Sequence, residues 1–455
     1  MVVAGTHSGV GKTTVATGLM AALRRRGLGV SAAKIGPDFI DPGYHEVATG
    51  RPGRNLDVFC SGAEALPALA ARAALGSDLL VVEGVMGLFD GVGATTTSST
   101  AHVAALLGAP VLLVVDAASM SGSVAALVHG YDDMLRRTTA RGIAGIVLNK
   151  VGSDTHEAVL RRALDGAAPV VGVLRRDDAC SWHDRHLGLV PVIEQPEQVL
   201  RSVRRLGEVL GRALHLEEIE RIARAAPPLH PAPLPEARRT RGAPVRVAVA
   251  SGPAFSFAYP DNLERLAEAG AELCPFDPLE APSLPDGTQA LYAGGGFPEV
   301  FAEALSANTA LRDDVRRRVG AGMPTWAECG GMLWLSRSVE GHELCGVLPA
   351  GARMRERITV GYRTARVRSD NPVAPRGSEL RGHELHYSAL TPPGDALELS
   401  GTGGSRPDGY ASGSLLATYL HLHLGADAAP AERFVEAAAK AASAASATSA
   451  GRLDG

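Results

Sequence analysis

The chain has 455 residues, 45% of them hydrophobic and 21% charged, which is typical of globular domains and predicts two or three of them. Its formal net charge of -4, without runs of basic and aromatic residues, argues against nucleic acid as a partner. The five cysteines are odd in number, widely spaced and without a C-x-x-C pair, which argues against a disulfide framework and a zinc site. The sequence contains no apolar run of roughly 18 residues and no signal peptide, so we expect a cytoplasmic protein without a membrane segment.

Short apolar strands alternate with helical stretches through the first half of the chain. A strand is predicted at residues 2–4, a helix at 13–26, and further strands at 30–34, 79–82, 111–115 and 143–148. Continuous Val, Ile and Leu runs separated by helices are typical of a parallel sheet that is covered on both faces. We therefore predict an α/β domain.

A glycine-rich loop joins the first strand to the first helix. Residues 5–14 read Gly-Thr-His-Ser-Gly-Val-Gly-Lys-Thr-Thr, the context of a phosphate loop, in which backbone N–H groups and the helix N-terminus face phosphate oxygens. We expect Lys12 to reach the β/γ-phosphates and the Thr13 hydroxyl to bind Mg²⁺. Gly5 lies one position before the usual first glycine, a variant typical of dethiobiotin-synthetase-like and partition-type ATPases. The predicted nucleotide-binding residues are Gly9, Gly11, Lys12, Thr13 and Thr14.

Charged residues follow two of the predicted strands. The carboxyl ends of parallel strands are where such sheets bind ligands, and Mg²⁺ prefers oxygen ligands. Glu83 ends a strand, so we predict a metal or substrate contact there. Lys34 either contacts phosphate or a substrate carboxylate or is solvated, and Asp38 and Asp41 either bind a ligand or cap a helix. Asp90, which precedes a glycine, is predicted to be a turn residue.

A proline-rich stretch separates two alternating patterns. We predict an N-terminal domain at 1–225, a linker at 226–243, a second α/β domain at 244–436 and an Ala/Ser-rich tail at 437–455, which either extends the last helix or frays. Strands are predicted at 245–250, 290–293 and 323–327. In the first half, Asn149 follows a strand at a place where an adenine contact is one interpretation.

Cys329 lies in Ala-Glu-Cys-Gly-Gly, directly after a predicted strand. A nucleophile in a strand–turn–helix bend needs small neighbours, which Gly330 supplies, and a following helix N-terminus lowers a thiol pKa. Gly295 and Gly296 follow another strand and are predicted to offer backbone N–H groups to an oxyanion. A base is also required. It is predicted to be His421 or, in a second interpretation, His423, which strand alternation places on the same side.

Taken together, these motifs resemble those of cobyrinic acid a,c-diamide synthases and their aerobic-pathway counterparts, the hydrogenobyrinic acid a,c-diamide synthases. The matching segments are residues 5–14, 34–42, 55–57, 82–91, 185–191, 294–299, 327–331, 360–363, 381–388 and 418–423. Cobyric acid synthases typically read Gln-Asn-Met after the second strand, whereas residues 36–42 here read Gly-Pro-Asp-Phe-Ile-Asp-Pro.

The resemblance implies a dethiobiotin-synthetase-like P-loop domain and a C-terminal class I glutamine amidotransferase-like domain. It implies that Cys329 attacks glutamine to give a glutamyl thioester and ammonia, with His421 as the base. The first domain would bind ATP, Mg²⁺ and a corrinoid and phosphorylate a side-chain carboxylate, and ammonia would then displace phosphate. The implied substrate or metal contacts are Lys34, Asp38, Asp41 and Glu83.

Several alternatives remain open from the sequence. Cobyric acid synthase and nickel-sirohydrochlorin a,c-diamide synthase share the reaction class, and a partition-type nucleotide switch with a relic thiol domain belongs to a different class. Cobyrinate and hydrogenobyrinate are both open as the substrate, and a homodimer is one expected state. Class I amidotransferases often have His-x-Glu where this chain has His421-Leu-His423, so we expect the base to lack an acidic partner.

Overall fold

The computed structural model describes residues 1–176, 184–185, 188–189, 192–194, 196–229 and 231–450. The predicted match at 185–191 lies largely outside these residues, and Cys180 lies wholly outside them. The chain forms two compact units, Met1–Leu234 and Pro235–Gly455. Residues 231–240 form neither helix nor strand.

The first unit is built on a seven-stranded parallel sheet with the order β3-β2-β4-β1-β5-β6-β7. Its strands are β1 (Val2–Gly5), β2 (Val30–Ile35), β3 (Arg54–Leu56), β4 (Leu79–Glu83), β5 (Val111–Asp116), β6 (Ile143–Val151) and β7 (Val170–Arg175), followed by the short pair β8 (Asp184–Arg185) and β9 (Gly188–Leu189). Its helices are α1 (Lys12–Arg25), α2 (Asp41–Thr49), α3 (Val58–Ser61), α4 (Leu66–Ala74), α5 (Thr100–Leu107), α6 (Ser123–Thr139), α7 (Asp154–Ala163), α8 (Pro196–Ala213) and α9 (Leu216–Arg224).

Helices cover both faces of this sheet, as the uninterrupted apolar strands predict. On one face α1 and α8 bury residues such as Leu19 and Leu206, and on the other α5 and α6 bury Val103 and Val128. Helix α1 approaches α8 closely at Gly18, where an added Cβ would lie 2.6 Å from Leu210 Cγ. The five strands predicted in this half and the α/β class are confirmed.

The second unit has a central sheet with the order β11-β10-β12-β13-β21-β20, in which only β20 is antiparallel to its neighbour. Its strands are β10 (Val245–Ala250), β11 (Ala271–Phe276), β12 (Ala290–Ala293), β13 (Thr325–Glu328), β14 (Ser338–Val339), β15 (His342–Glu343), β16 (Gly351–Val367), β17 (Glu379–Thr391), β18 (Leu397–Gly401), β19 (Gly404–Asp408), β20 (Tyr410–Ser412), β21 (Leu415–Thr418) and β22 (His421–Leu422). Its helices are α10 (Pro260–Glu268), α11 (Ala302–Ala307), α12 (Thr309–Gly320), α13 (Gly330–Leu335) and α14 (Ala429–Ala450).

A second sheet of this unit is built around the long antiparallel pair β16 and β17, whose register shifts between Met354 and Thr359. Strand β17 also pairs with β22, which brings His383 opposite His421. The Ala/Ser-rich stretch continues α14 to residue 450. Among the described residues, no helix is both long and apolar enough to cross a membrane.

Candidate functional site

The glycine-rich loop has the backbone shape that its sequence requires. Gly9 (φ 80°) and Gly11 (φ 98°) adopt left-handed conformations, which glycine reaches at little cost. A Cβ on Gly11 would collide with the amide of Asn149, whose Nδ2 donates a hydrogen bond to Val10 O at 2.8 Å. Asn149, near the end of β6, therefore holds the loop in place, and the adenine contact stays a prediction.

Lys12 begins α1 and is buried beside this loop. Its Nζ donates to His7 O at 3.2 Å. The pKa of Lys12 is lowered to about 8, chiefly by burial and also by the nearby ammonium of Lys34, while Glu83 and Asp41 oppose the shift. A phosphate anion beside Lys12 would favour its charged form.

Glu83, at the end of β4, is fully buried and accepts three side-chain hydrogen bonds. The donors are the Thr13 hydroxyl at 2.6 Å, Lys34 Nζ at 2.7 Å and His45 Nε2 at 2.6 Å. Burial alone would raise the pKa of Glu83, but the Lys34 ammonium and the His45 hydrogen bond outweigh it and hold the pKa below its usual value. His45 escaped the sequence analysis, although its position four residues after Asp41 puts both on one face of α2.

The other predicted charges gather around the same strand ends. Lys34 Nζ lies 2.6 Å from Asp41 Oδ2, and burial raises the pKa of Asp41 to about 7, with the Asp38 charge adding to the effect. Asp38 accepts hydrogen bonds from the amides of Ile40 and Asp41, so its side chain holds the turn that leads into α2. Asp90 accepts from Gly87 N at 2.8 Å, which confirms the predicted turn.

We call Lys12, Thr13, Lys34, Asp41 and Glu83 the phosphate-loop cluster; Gly9 and Thr14 flank it along the chain. Among the described residues, no three His, Cys, Asp or Glu side chains are grouped to hold a metal ion. The oxygen donors that do meet are one hydroxyl and two carboxylates, since Thr13 also lies 3.5 Å from Asp41 Oδ2. Such donors suit a hard cation that takes its remaining ligands from phosphate and water.

Cys329 lies at a strained bend between β13 and α13. Its φ of 46° falls in a region that non-glycine residues rarely occupy, as in other nucleophile turns. Its amide donates to Thr418 O at 2.7 Å, which ties the bend to the end of β21. A Cβ on Gly331 would collide with Ala293 O, and one on Gly330 would lie 2.9 Å from Gly296 N. The glycines after Cys329 thus allow the bend to pack against the turn at residues 294–296.

The turn at 294–296 carries two predicted oxyanion residues with different surroundings. The amide of Gly295 donates to Phe257 O at 2.9 Å, so this N–H already has a backbone acceptor and does not face an oxyanion. Gly295 instead leaves room for an imidazole, because an added Cβ would lie 2.5 Å from His421 Cε1. Gly296 (φ 156°) packs against Ala254 O and faces Gly330.

The structure separates the two candidate bases. His421 is buried against Gly295, and its Nδ1 lies 3.7 Å from Glu328 Oε2. His423 lies 3.8 Å from Asp261 and packs edge-on against Tyr259, with ring centroids 4.8 Å apart. We call Cys329, Glu328, His421 and residues 294–296 the thiol turn. The expectation that His421 lacks an acidic neighbour is wrong, because the carboxylate comes from the residue before Cys329.

The electrostatics of Cys329 also differ from the prediction. Burial raises the pKa of the thiol, and the charge of Glu299 raises it further, while the Gly330 amide acts in the opposite direction. Burial therefore outweighs the effect of the Gly330 amide at the start of α13. Burial also raises the pKa of half-buried Glu299 to about 7.

A polar cluster on β17 lies beside the thiol. Cys329 Sγ is 3.8 Å from Leu385 O, and the neighbouring Glu384 is fully buried. Glu384 pairs with Arg363 at 2.6 Å and also contacts Arg406. Burial would raise the pKa of Glu384, but its hydrogen bond with His386 and the charge of Arg406 lower it to about 2. The segment 381–388 is therefore mostly a buried network.

Two family models match the chain. The CobQ/CobB/MinD/ParA nucleotide binding domain matches residues 1–190, and the CobB/CobQ-like glutamine amidotransferase domain matches residues 246–429. The first contains the phosphate-loop cluster and the second contains the thiol turn.

Curated relatives match over nearly the whole chain. A hydrogenobyrinate a,c-diamide synthase of Streptomyces coelicolor is 47% identical, covering 96% of this chain and 96% of that protein. A protein of the same name from Thermobifida fusca is 45% identical with the same coverage. A cobyrinate a,c-diamide synthase of Synechocystis sp. is 39% identical, covering 95% of this chain and 92% of that protein.

Proposed function

Because the chain belongs to the family of hydrogenobyrinate and cobyrinate a,c-diamide synthases, we propose that it uses ATP and glutamine to amidate the a and c side-chain carboxylates of a corrinoid. It is a glutamine-dependent carbon–nitrogen ligase of cobalamin biosynthesis. The observation that carries the proposal is 47% identity over 96% of both chains, together with a thiol turn and a phosphate loop on the matched domains.

The second unit releases ammonia from glutamine in this proposal. Cys329 Sγ attacks the carboxamide carbon, its proton passes to His421, and the protonated imidazole delivers it to the departing ammonia. A glutamyl thioester forms, and water hydrolyses it to glutamate. The amides of Gly296 and Gly330 are the proposed oxyanion donors, since the two residues face one another across the turn.

The first unit activates the carboxylate. A carboxylate is a poor electrophile, so the γ-phosphoryl group of ATP is transferred to its oxygen, giving an acyl phosphate and ADP. Ammonia then attacks the acyl carbon and phosphate departs. Lys12 neutralises the β/γ-phosphates, and Gly9, Gly11 and Thr14 complete the proposed nucleotide site. Lys34, Asp38, Asp41 and Glu83 are the proposed substrate contacts.

Mg²⁺ fits the donors of the phosphate-loop cluster. Thr13 and Glu83 are the residues proposed to hold it, and the ion would neutralise phosphate charge during transfer. The Thr13 hydroxyl donates to Glu83 in this structure, so binding a cation through both oxygens replaces that hydrogen bond.

The identities of the relatives support one finer assignment, and the others rest on the sequence. Hydrogenobyrinate is the favoured substrate, because the relatives named for it are 43–47% identical and those named for cobyrinate 39%. Residues 1–225 form the proposed ATP- and corrinoid-binding domain, 226–243 the linker, 244–436 the amidotransferase domain and 437–455 the tail. We also propose that the protein is a homodimer and that it is cytoplasmic. Analytical ultracentrifugation tests the oligomeric state.

Mass spectrometry of both corrinoids tests the main proposal. Hydrogenobyrinic or cobyrinic acid is incubated with the protein, ATP, Mg²⁺ and glutamine, and each amidated carboxyl lowers the mass by about 1 Da, twice over. The Cys329→Ala variant should work only with added ammonia, since it lacks the nucleophile but keeps the first unit. If neither corrinoid changes mass while ATP is hydrolysed, the substrate assignment is wrong.

A further inference from the structure

Glu328 ends β13, directly before Cys329, and its carboxylate is almost fully buried. Its Oε1 accepts a hydrogen bond from Leu422 N at 3.2 Å, and its Oε2 lies 3.7 Å from His421 Nδ1. The carboxylate therefore lies beside β22, with one oxygen at the Leu422 amide and the other near the His421 ring. A buried carboxylate is costly unless charged or polar groups offset it, so its place beside an imidazole calls for an explanation.

The two edges of the His421 ring face different partners. The Cε1–Nε2 edge lies over Gly295, which packs against the bend that carries Cys329, while Nδ1 faces Glu328. A base in a nucleophile site needs this division, because one nitrogen exchanges the proton and the other is held by an acid.

We propose that Glu328 is the positioning residue of the thiol turn, holding the proton of His421 on Nδ1 and stabilising the imidazolium that forms when Nε2 takes the Cys329 proton. The inference rests on the proposed function, in which Cys329 attacks glutamine. Glu328 would be the third residue of the catalytic group, after Cys329 and His421. The acid and the nucleophile are then consecutive residues of the chain. The proton moves from Sγ to Nε2 as the Sγ–carbon bond forms and then leaves with ammonia, while Glu328 stays ionised.

The other charged groups near the site do not take this position. Asp261 lies beside His423, and Glu384 is engaged by Arg363 and Arg406. Glu299 acts on the thiol itself. The ring of His383, from β17, stacks on His421 with centroids 5.0 Å apart, so it presents a face to the imidazole.

The location of Glu328 gives it two opposite effects on the thiol. Acting directly, its negative charge disfavours the thiolate. Acting through His421, it favours the thiolate, because a stabilised imidazolium accepts the thiol proton and then pairs with the thiolate. The sign of the change on removing the charge therefore distinguishes a positioning role from a merely structural one.

The experiment measures the rate of Cys329 alkylation by iodoacetamide against pH in the full chain, using peptide mass spectrometry. Glu328→Gln keeps an acceptor for Leu422 N but removes the charge. We expect alkylation near neutral pH to slow at least about tenfold, the apparent thiol pKa to rise, and glutamine-dependent kcat to fall while ammonia-dependent amidation is retained. Asp261→Asn, which alters the neighbouring acid–histidine pair, is the matched control and should leave all these quantities unchanged.

A double-variant series completes the test. In a His421→Ala background only the direct effect remains, so Glu328→Gln should leave alkylation unchanged or speed it slightly. Glu328→Asp retains the charge and should recover part of the wild-type rate, which separates charge loss from misfolding. The proposal is overturned if Glu328→Gln speeds alkylation with His421 intact, or if Asp261→Asn causes the loss instead. Alkylation requires no corrinoid, whereas ammonia-dependent amidation reports the proposed function, so the two can fail independently.

Discussion

The phosphate-loop cluster and the thiol turn have similar backbone settings but opposite electrostatics. Both follow a buried parallel strand and use glycine where a side chain would collide, at Gly11 and at Gly331. In the first, buried Lys34 and Glu83 are paired, and each supports the charge of the other. In the second, burial keeps the Cys329 thiol protonated. One site is thus charged before its substrates arrive, whereas the other needs its base and its substrate to develop charge.

The largest expected effect tests how far the thiol turn depends on its base. His421→Ala should lower glutamine-dependent kcat roughly 10²- to 10⁴-fold, because a positioned general base contributes that much. His423→Ala, at the neighbouring Asp261, is the matched control and should retain most activity. Steady-state glutamate release measures both. If His421→Ala retains glutamate release and His423→Ala loses it, His423 is the base and the assignment of His421 is wrong.

An intermediate effect tests whether the thiol bend needs glycine for space. Gly331→Ala should destabilise the fold by about 1–3 kcal/mol, since its methyl group meets the Ala293 carbonyl oxygen. Gly413→Ala has open space around its Cβ and should change the free energy of unfolding by less than about 0.5 kcal/mol. Urea unfolding of both variants provides the measurement. Equal effects would mean that the bend is less tightly packed than the structure indicates.

The smallest expected effect concerns the charge of Lys12 in the phosphate-loop cluster. The pKa of Lys12 is lowered to about 8, so the lysine loses its charge as pH rises through that value. ATP affinity should therefore weaken roughly tenfold or less above about pH 8, the free-energy equivalent of about one pKa unit. Bound phosphate raises the pKa of Lys12 and delays the loss. Calorimetric titration from pH 6.5 to 9.5 follows the change, as proton linkage predicts. Lys12→Arg should remove the loss of affinity above about pH 8, because arginine stays charged over about this range.

The sequence predicts local features well but predicts contacts between residues far apart in the chain poorly. The phosphate loop, the strands of the first sheet and the glycines around Cys329 follow from spacing and apolar runs within a few residues. The pairing of Glu328 with His421 does not, because it requires β22 to return beside the end of β13 after some 90 intervening residues. The β16–β17 pair also escaped prediction, because alternating charged residues are typical of an exposed surface, although Glu384 is fully buried.

The distance along the chain between Cys329 and His421 has a consequence for biosynthesis. The nucleophile is translated well before β21 and β22, yet its amide is held by Thr418 and its neighbour Glu328 by Leu422. A nascent or truncated chain that stops before residue 415 carries the cysteine without the strand that supplies its imidazole. In the proposed mechanism, glutamine cleavage therefore begins only after the C-terminal segment has been made and has folded onto the rest of its unit. An incomplete chain would therefore not release ammonia from glutamine.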